Sequence, residues 1–434
     1  MSLDELGLAE KPAIEIFRDL GYDYESGSEL NTERPSTSEV VLRDRLREAL
    51  LGINSNLPSE AIDEAVRQIT SSQSPNLLED NRRLHDQLVN GVQVEFEQNG
   101  EQVGQFVDPI DFDNPENNDW FVTTQFTVQV GDNPRRRPDM VVFINGLPIG
   151  VLEFKNPTDP KATLENAYEQ VNSRYRDDIS PLLRFNEVIG LMDLNEARIG
   201  CLDAGWQWFR PWRYIEKEGD ERDDLPEQEV LLRGVFDKER LLDLIENFIV
   251  FSEVDGKAVK MLAGYHQFYG VREAVESANE TQGDDLGRVG VYWHTQGSGK
   301  SLSMVYFVRK IRRSSDFGNP TFVVVTDRNE LDEQITHTFS DAGYSVSWAN
   351  TIADLRSKLD RQAGGLIFTT IQKFQTQEGE REHPVVNERE DVIVMADEAH
   401  RSQTKELGEN LRDALPNASF IGFTATPIHD GDNA

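Results

Sequence analysis

Between Arg135 and Pro157 the sequence reads RRRPDMVVFINGLPIGVLEFKNP. Asp139, Glu153 and Lys155 lie at the ends of two apolar runs that otherwise suit a buried sheet. Charges in such strands are costly unless they are paired or bound to metal. Two carboxylates about one side chain apart, facing solvent, make a hard-oxygen site for Mg2+. A metal held there lowers the pKa of its bound water and stabilises charge on a phosphate oxygen. In that setting Lys155 orients the attacking water and neutralises the reacting phosphorus, while Arg135, Arg136 and Arg137 can hold a phosphate backbone. A surface ion pair of Lys155 with Glu153 or Asp139 is the competing reading of these residues taken alone.

Register decides whether the charges meet. Asn145-Gly146 predicts a hairpin. A two-residue loop pairing Ile144 with Leu147 sets Asp139 against Leu152, and Glu153 and Lys155 then point away from Asp139. A one-residue slip puts all three on one face. It can come from a three-residue loop with Gly146 left-handed, or from a bulge at Gly150.

A second set begins at VGVYWHTQGSGKSLSMVYFVRKIRR, which reads as strand, tight Gly turn and amphipathic helix, the context a phosphate loop needs. Backbone N–H groups from Gln296 through Gly297 and Ser298 to Gly299 would cradle phosphates, with both glycines permitting close approach. Lys300 would reach the β- and γ-phosphates of ATP and Ser301 would bind Mg2+. His294 stands where such loops usually begin with Gly. VIVMADEAHRS is an apolar strand ending in Asp397-Glu398-Ala399-His400, with Asp397 97 residues beyond Lys300. Asp397 would hold Mg2+ and Glu398 would polarise the attacking water. Alone, that tetrapeptide is equally a helix cap followed by a surface His400; with the phosphate loop it points to nucleotide hydrolysis.

These residues resemble two known families joined in one chain. Pro138-Asp139, a 13-residue spacer and Glu153-Phe154-Lys155 are similar to the PD-(D/E)xK nucleases. RPDMVVFINGLPIGVLEFKNP, with LRDRLREALLGINSNLPSEAIDEA and LLRFNEVIGLMDLNEARIGCL around it, resembles the restriction subunit of type I restriction-modification enzymes. In that family a Gln-x-x-x-Tyr element supports the nuclease site. Here Gln170 is followed by Tyr175, one residue further on, so Tyr175 shifts by a helical position or Gln170 acts alone. An acidic residue of the first helix often completes the site; Glu10 is the candidate and Glu15 the runner-up. HTQGSGKS and DEAH resemble the superfamily 2 helicases and translocases. In the same resemblance Gln267 of YHQFYGVREAV matches the adenine-reading glutamine, VVVTDRNELDEQ and FTTIQKF match elements that touch the DNA backbone, and Thr424 and Thr426 of FTATP match the element coupling hydrolysis to movement.

The expected fold is α/β: a PD-(D/E)xK nuclease domain with a mixed sheet flanked by helices over 1–214, a charged linker and connecting helix over 215–258, and a RecA-like P-loop domain with a parallel sheet over 259–434. Helices are predicted in KPAIEIFRDLGY, SEVVLRDRLREALLGI, SEAIDEAVRQI (capped by Ser59) and NRRLHDQLVNG, then strands in VQVEFEQ and VTTQFTVQV, and a helix in ENAYEQVNSRYRDDI. IEKEGDERDDLPEQE, from Ile215 to Glu229, is the best linker. From residue 259 onward, short apolar runs (VGVYWHT, TFVVVTD, GLIFTTI, VIVMADE, SFIGFTA) alternate with helical or loop segments, as in a parallel sheet buried on both faces.

The chain of 434 residues carries 78 acidic and 44 basic residues, a net charge of -34. Such a charge repels nucleic acid at low salt, but at molar salt the Debye length falls to about 3 Å. The spread of acid along the chain, with Arg far exceeding Lys, reads as a halophile's adaptation and leaves DNA open as substrate. The lone Cys201 suits a reducing cytoplasm, and neither a secretory signal nor a membrane-spanning run is visible. The resemblance implies cleavage of double-stranded DNA coupled to ATP-driven translocation, with modification (methyltransferase) and specificity subunits as partners. It also implies a second motor domain, whereas the sequence ends eight residues after Thr426; binding of ATP with feeble hydrolysis and no processive translocation is therefore expected. A repair helicase-nuclease, or an inactive remnant that only binds ATP or DNA, is the alternative.

Overall fold

The computed structural model describes residues 9–30, 34–98, 100–156, 159, 161–217, 219–254, 257–281, 287–293, 295, 297, 299–326, 329–377, 380, 383–397 and 405–425. They form two compact units, Met1–Tyr265 and His266–Ala434.

The first unit is built on a mixed sheet. Its strands are β1 (Asp23–Ser26), β4 (Trp120–Thr124), β5 (Met140–Ile144), β6 (Leu147–Phe154), β7 (Val188–Met192) and β8 (Ala197–Gly200), in that spatial order. β1 with β4 and β6 with β7 are parallel pairs; the others are antiparallel. A separate hairpin, β2 (Val92–Gln98) with β3 (Glu101–Val107), packs on the helix Ser59–Thr70. All residues of β4 to β7 are buried. Each buried aliphatic or aromatic side chain contributes roughly 1.5–3 kcal/mol, so this central layer anchors the unit.

The β5–β6 hairpin turns at Asn145 (φ 52°) and Gly146 (φ 74°), both left-handed as a two-residue type I′ loop requires. Gly146 has no room for a side chain, since a Cβ would lie 2.5 Å from the Leu42 carbonyl oxygen. Ile144 pairs with Leu147 and Phe143 with Pro148, but Val142 pairs with Gly150. Ile149 is therefore the extra residue of a bulge beside Gly150, and the slip occurs there rather than through a three-residue loop. Met140 then faces Leu152, which sets Asp139 against Glu153.

Three sequence expectations are corrected. VTTQFTVQV is not one strand: β4 stops at Thr124, Gln125 turns to φ 56°, and only Val128 re-forms a bridge, to Arg136. Ser59 does not cap its helix; Pro58 occupies the N-cap and makes no side-chain cap bond. The expected linker does not stand apart: its described residues from 216 to 227 are mostly exposed, but both of its ends are anchored in the first unit. Ile215 is buried, the helix Glu227–Val235 packs on Lys11–Asp19, and Gly234 lies where a Cβ would meet the Tyr214 oxygen at 2.4 Å. The helix Lys238–Asn247 and a hairpin, β9 (Ile249–Val254) with β10 (Lys257–Leu262), complete the unit, so the division falls after Tyr265 rather than at 259.

The second unit is a wholly parallel sheet: β11 (Arg288–Trp293), β12 (Thr321–Thr326), β13 (Ser347–Trp348), β14 (Leu366–Thr370), β15 (Val392–Asp397) and β16 (Ser419–Thr424), in the order β11-β16-β15-β12-β14-β13. β12 and β14 are buried throughout, as strands covered on both faces must be. The carboxyl ends of β11, β16 and β15 lie side by side, which places Trp293, Thr424 and Asp397 at one edge of the sheet.

Candidate active sites

In the first unit the bulge brings the charged residues together. Glu153 is fully buried, with Leu191 of β7 in register beside it, so it does not face solvent as expected; Asp139 and Lys155 are half-buried. Asp139 Oδ2 accepts from the Phe154 N–H at 2.9 Å, and the Asp139 N–H points at Glu153 Oε1 at 3.4 Å. Tyr175 O–H donates to Glu153 Oε1 at 2.7 Å and Gln170 Nε2 to Glu153 Oε2 at 2.7 Å. Lys155 Nζ donates to Gln170 Oε1 at 3.1 Å and lies 4.0 Å from Glu153 Oε2. One amide thus spans the acid and the base.

The backbone explains how a five-residue step from Gln170 to Tyr175 still brings both residues to one acid. After the helix Leu164–Glu169, residues Gln170–Tyr175 form a π turn. Its i→i+5 pitch absorbs the extra residue, and Gln170 Nε2 also donates to the Tyr175 oxygen at 2.7 Å. Of the two options for Tyr175, the chain takes the helical shift.

Burial raises the pKa of Asp139, against the Phe154 N–H that favours its ionised form. Burial and then the Asp139 charge push Glu153 well above the usual carboxylate range. Burial also raises the Tyr175 hydroxyl, followed by the Glu153 charge. Two adjoining acids, one of them fully buried, cannot both ionise cheaply, and a divalent cation between them relieves that cost. The donors are all oxygen. No cluster of three or more His, Cys, Asp or Glu residues suited to a metal occurs among the described residues. Two carboxylates without a full protein cage suit an ion that keeps several waters.

Glu10, at the N-cap of Lys11–Asp19, is buried and accepts from Gln125 Nε2 at 3.1 Å; the same nitrogen lies 3.4 Å from Asp139 Oδ1. Glu15 is exposed on that helix. Arg136 pairs with Asp178 at 2.5 Å, whereas Arg135 and Arg137 are exposed. Gln125 was missed from the sequence because nothing marks a glutamine for a left-handed turn.

In the second unit Gly297 (φ 82°) and Gly299 (φ 92°) are left-handed, and the helix Lys300–Arg313 starts directly after them. A Cβ on Gly299 would meet Gln267 Nε2 at 2.8 Å. Gln267 is buried and donates to the Gly299 carbonyl at 3.1 Å. Lys300 Nζ lies 2.7 Å from Asp397 Oδ1, while Ser301 is half-buried on the first turn. β16 runs between the strands that carry these two sets and ends at buried Thr424. Gln296, Ser298, Glu398, His400 and Thr426 lie outside the described residues, as does His294.

The type I restriction enzyme R protein N-terminus family matches residues 2–208, and the SWI2/SNF2 ATPase family matches residues 266–434. The chain joins a type I restriction R-protein amino-terminal domain to a SWI2/SNF2 ATPase domain. The type I restriction enzyme HindI endonuclease subunit of Haemophilus influenzae is 40% identical over 96% of this chain and 42% of its own length. A protein of Methanocaldococcus jannaschii, provisionally named the type I restriction enzyme MjaIXP endonuclease subunit, is 35% identical over 100% of the chain and 43% of its own. The chain thus spans under half the length of these curated relatives. Among solved structures, the Sulfolobus solfataricus SWI2/SNF2 ATPase core in complex with dsDNA covers 38% of this chain and 32% of its own at 16% identity and a TM-score of 0.28. No helix among the described residues is long and apolar enough to cross a membrane.

Proposed function

We propose that this chain is the nuclease and first motor part of a type I restriction endonuclease subunit, cutting double-stranded DNA in a Mg2+-dependent reaction and binding ATP in its second unit. The observation that carries the reading is the pairing of Asp139 with Glu153 across the bulged hairpin, with Lys155 tied to Glu153 through Gln170. Mg2+, when bound, supplies a water of lowered pKa and a charge to offset that on the phosphate. Asp139 and Glu153 hold it. Lys155, half-buried and held by Gln170, orients the attacking water and balances charge at phosphorus; Tyr175 and Gln170 fix the Glu153 carboxylate; Arg135 and Arg137 hold the flanking phosphates. Glu10 completes the acidic set from the first helix.

In the second unit Gly297 and Gly299 expose backbone N–H groups to the ATP phosphates. Lys300 exchanges Asp397 for the β- and γ-phosphates, and Ser301 and Asp397 hold the associated Mg2+. Glu398 serves as the base, Gln267 reads the adenine, and Thr424 and Thr426 link the nucleotide to movement. The relatives are named as subunits, which supports partner chains; we take these to be modification and specificity subunits in a cytoplasmic setting, and the net charge of -34 supports a salty one. The test is metal-dependent nicking of plasmid DNA by wild type and Lys155→Ala, at low and at molar salt. The wild type nicks with Mg2+ and not with EDTA, and Lys155→Ala is slower by about 10²-fold or more. Equal nicking by both removes the role given to Lys155. Lys300→Ala abolishes ATP binding and leaves nicking of a plasmid without ATP unchanged.

A further inference from the structure

We infer that Gln125 is a positioning residue of the nuclease site, holding Asp139 and Glu10 at the spacing a divalent ion requires. This rests on the nuclease reading above. Gln125 ends β4 at φ 56°, a conformation an L side chain without a local hydrogen-bonding reason rarely adopts. Strain of this kind persists only where the surroundings over-determine it, and it gathers at functional sites.

The surroundings do over-determine it. The Gln125 N–H still donates to the Asp139 carbonyl at 3.0 Å, so the turn is stitched to the strand bearing the acid. Behind it the backbone of Gly27 approaches so closely that a Cβ there would sit 2.6 Å from the Gln125 oxygen. Beyond it Phe126 is fully buried under the Arg34 guanidinium, whose Nη2 donates to the Thr127 carbonyl at 2.6 Å.

The result of this clamping is an amide aimed between two carboxylates. Gln125 Nε2 donates to Glu10 Oε1 at 3.1 Å and approaches Asp139 Oδ1 at 3.4 Å. A neutral amide between two acids lets them stay close without a cation of its own. Its Oε1 is buried and makes no hydrogen bond among the described residues, which leaves an acceptor for the hydrogen of a metal-bound water. A plain turn residue has no need of either contact; glycine or asparagine would take this φ more readily.

The test uses Mn2+ as the probe, with free ion read by electron paramagnetic resonance on the whole chain, without nucleotide or DNA. Asp139→Asn gives the background from any other site. Gln125→Gly removes the amide and relieves the φ. It is expected to melt no lower than wild type, yet to bind Mn2+ about 10–100-fold more weakly at the Asp139-dependent site, with a matching rise in the Mg2+ needed for half-maximal nicking. Gln125→Asn, also at ease with positive φ but one methylene short, gives the same direction and serves if the glycine variant does not fold. Unchanged Mn2+ affinity in folded variants overturns the inference and leaves Gln125 a turn residue. A wild type that binds no more Mn2+ than Asp139→Asn overturns the nuclease reading and this inference with it.

Discussion

Glu153, on β6, and Glu187, immediately before the adjacent β7, are both fully buried carboxylates, yet their surroundings are opposite. The Glu187 N–H bonds the carbonyl of Ile149, the bulge residue four positions before Glu153. Glu187 Oε2 takes Lys260 Nζ at 2.7 Å and His85 Nδ1 at 3.0 Å. Lys260, itself fully buried, spends its other hydrogens on Asn81 Oδ1 (3.0 Å) and the Asn186 carbonyl (2.8 Å). Burial pushes Glu187 up, but Lys260 and then His85 outweigh it and hold the carboxyl below its ordinary range. Around Glu153 the close donors are neutral, the one cation stands 4.0 Å away, and another acid is its neighbour. The Glu187 charge is balanced by a cation of the fold at Oε2, although its Oε1 makes no hydrogen bond among the described residues; the Glu153 charge is left wanting a cation. A buried acid that the protein declines to pair with a cation marks a ligand site, whereas one that it pairs marks a fastening.

That contrast can be broken at either acid. The largest expected effect is on chemistry: Glu153→Gln lowers DNA cleavage by about 10³-fold, the scale of losing one charge-stabilising group, while the protein stays folded. Next, Lys260→Met leaves Glu187 buried and unpaired and costs about 3–5 kcal/mol in denaturant unfolding. Should Lys260→Met unfold no more easily than wild type, the fastening role of that pair fails. Tyr175→Phe removes one donor from Glu153 and lowers cleavage by about 10–100-fold, with stability little changed.

The smallest effect, and the sharpest in sign, is the pH dependence of stability. Glu153 has a raised folded pKa, so its contribution is present at low pH and lost as pH rises through that raised value. Glu153→Gln should therefore equal or exceed wild-type stability at neutral pH, by on the order of 1 kcal/mol, and lose that advantage on acidification. Glu187 has a lowered folded pKa, so its contribution is present above the ordinary carboxylate range and is lost as pH falls through the lowered value. Glu187→Gln is accordingly most destabilising at neutral pH. Parallel pH profiles for the two variants would erase the distinction.

Much of the proposed nuclease site was legible because its chemistry is local. Asp139, Glu153 and Lys155 lie within one hairpin, and the parity of the strands demands a one-residue slip if they are to share a face. The place of the slip was less legible: a bulge at Ile149 competes with a longer loop, and the left-handed Asn145 and Gly146 favour the two-residue turn. The fit of Tyr175 needed a π turn, which no spacing rule announces. Gln125 was hidden because its conformation runs against propensity and is imposed by Gly27 and Arg34 from elsewhere in the chain. Lys260 meets Glu187 across 73 residues without a motif, although a lysine inside the apolar strand KAVKML was a signal. The charge-rich segment 215–229 misled because charge and Pro describe a surface as well as a tether. Its continuation, Glu227–Val235, buries Val230, Leu231, Leu232 and Val235.

The most direct measurement is the anomalous scattering of Mn2+ in a crystal of this chain. A single Mn2+ peak about 2.0–2.3 Å from a carboxylate oxygen of both Asp139 and Glu153 is the predicted result. A Mn2+-saturated crystal with no peak between those two residues, while the same ion occupies the loop at Lys300 and Ser301, would contradict it.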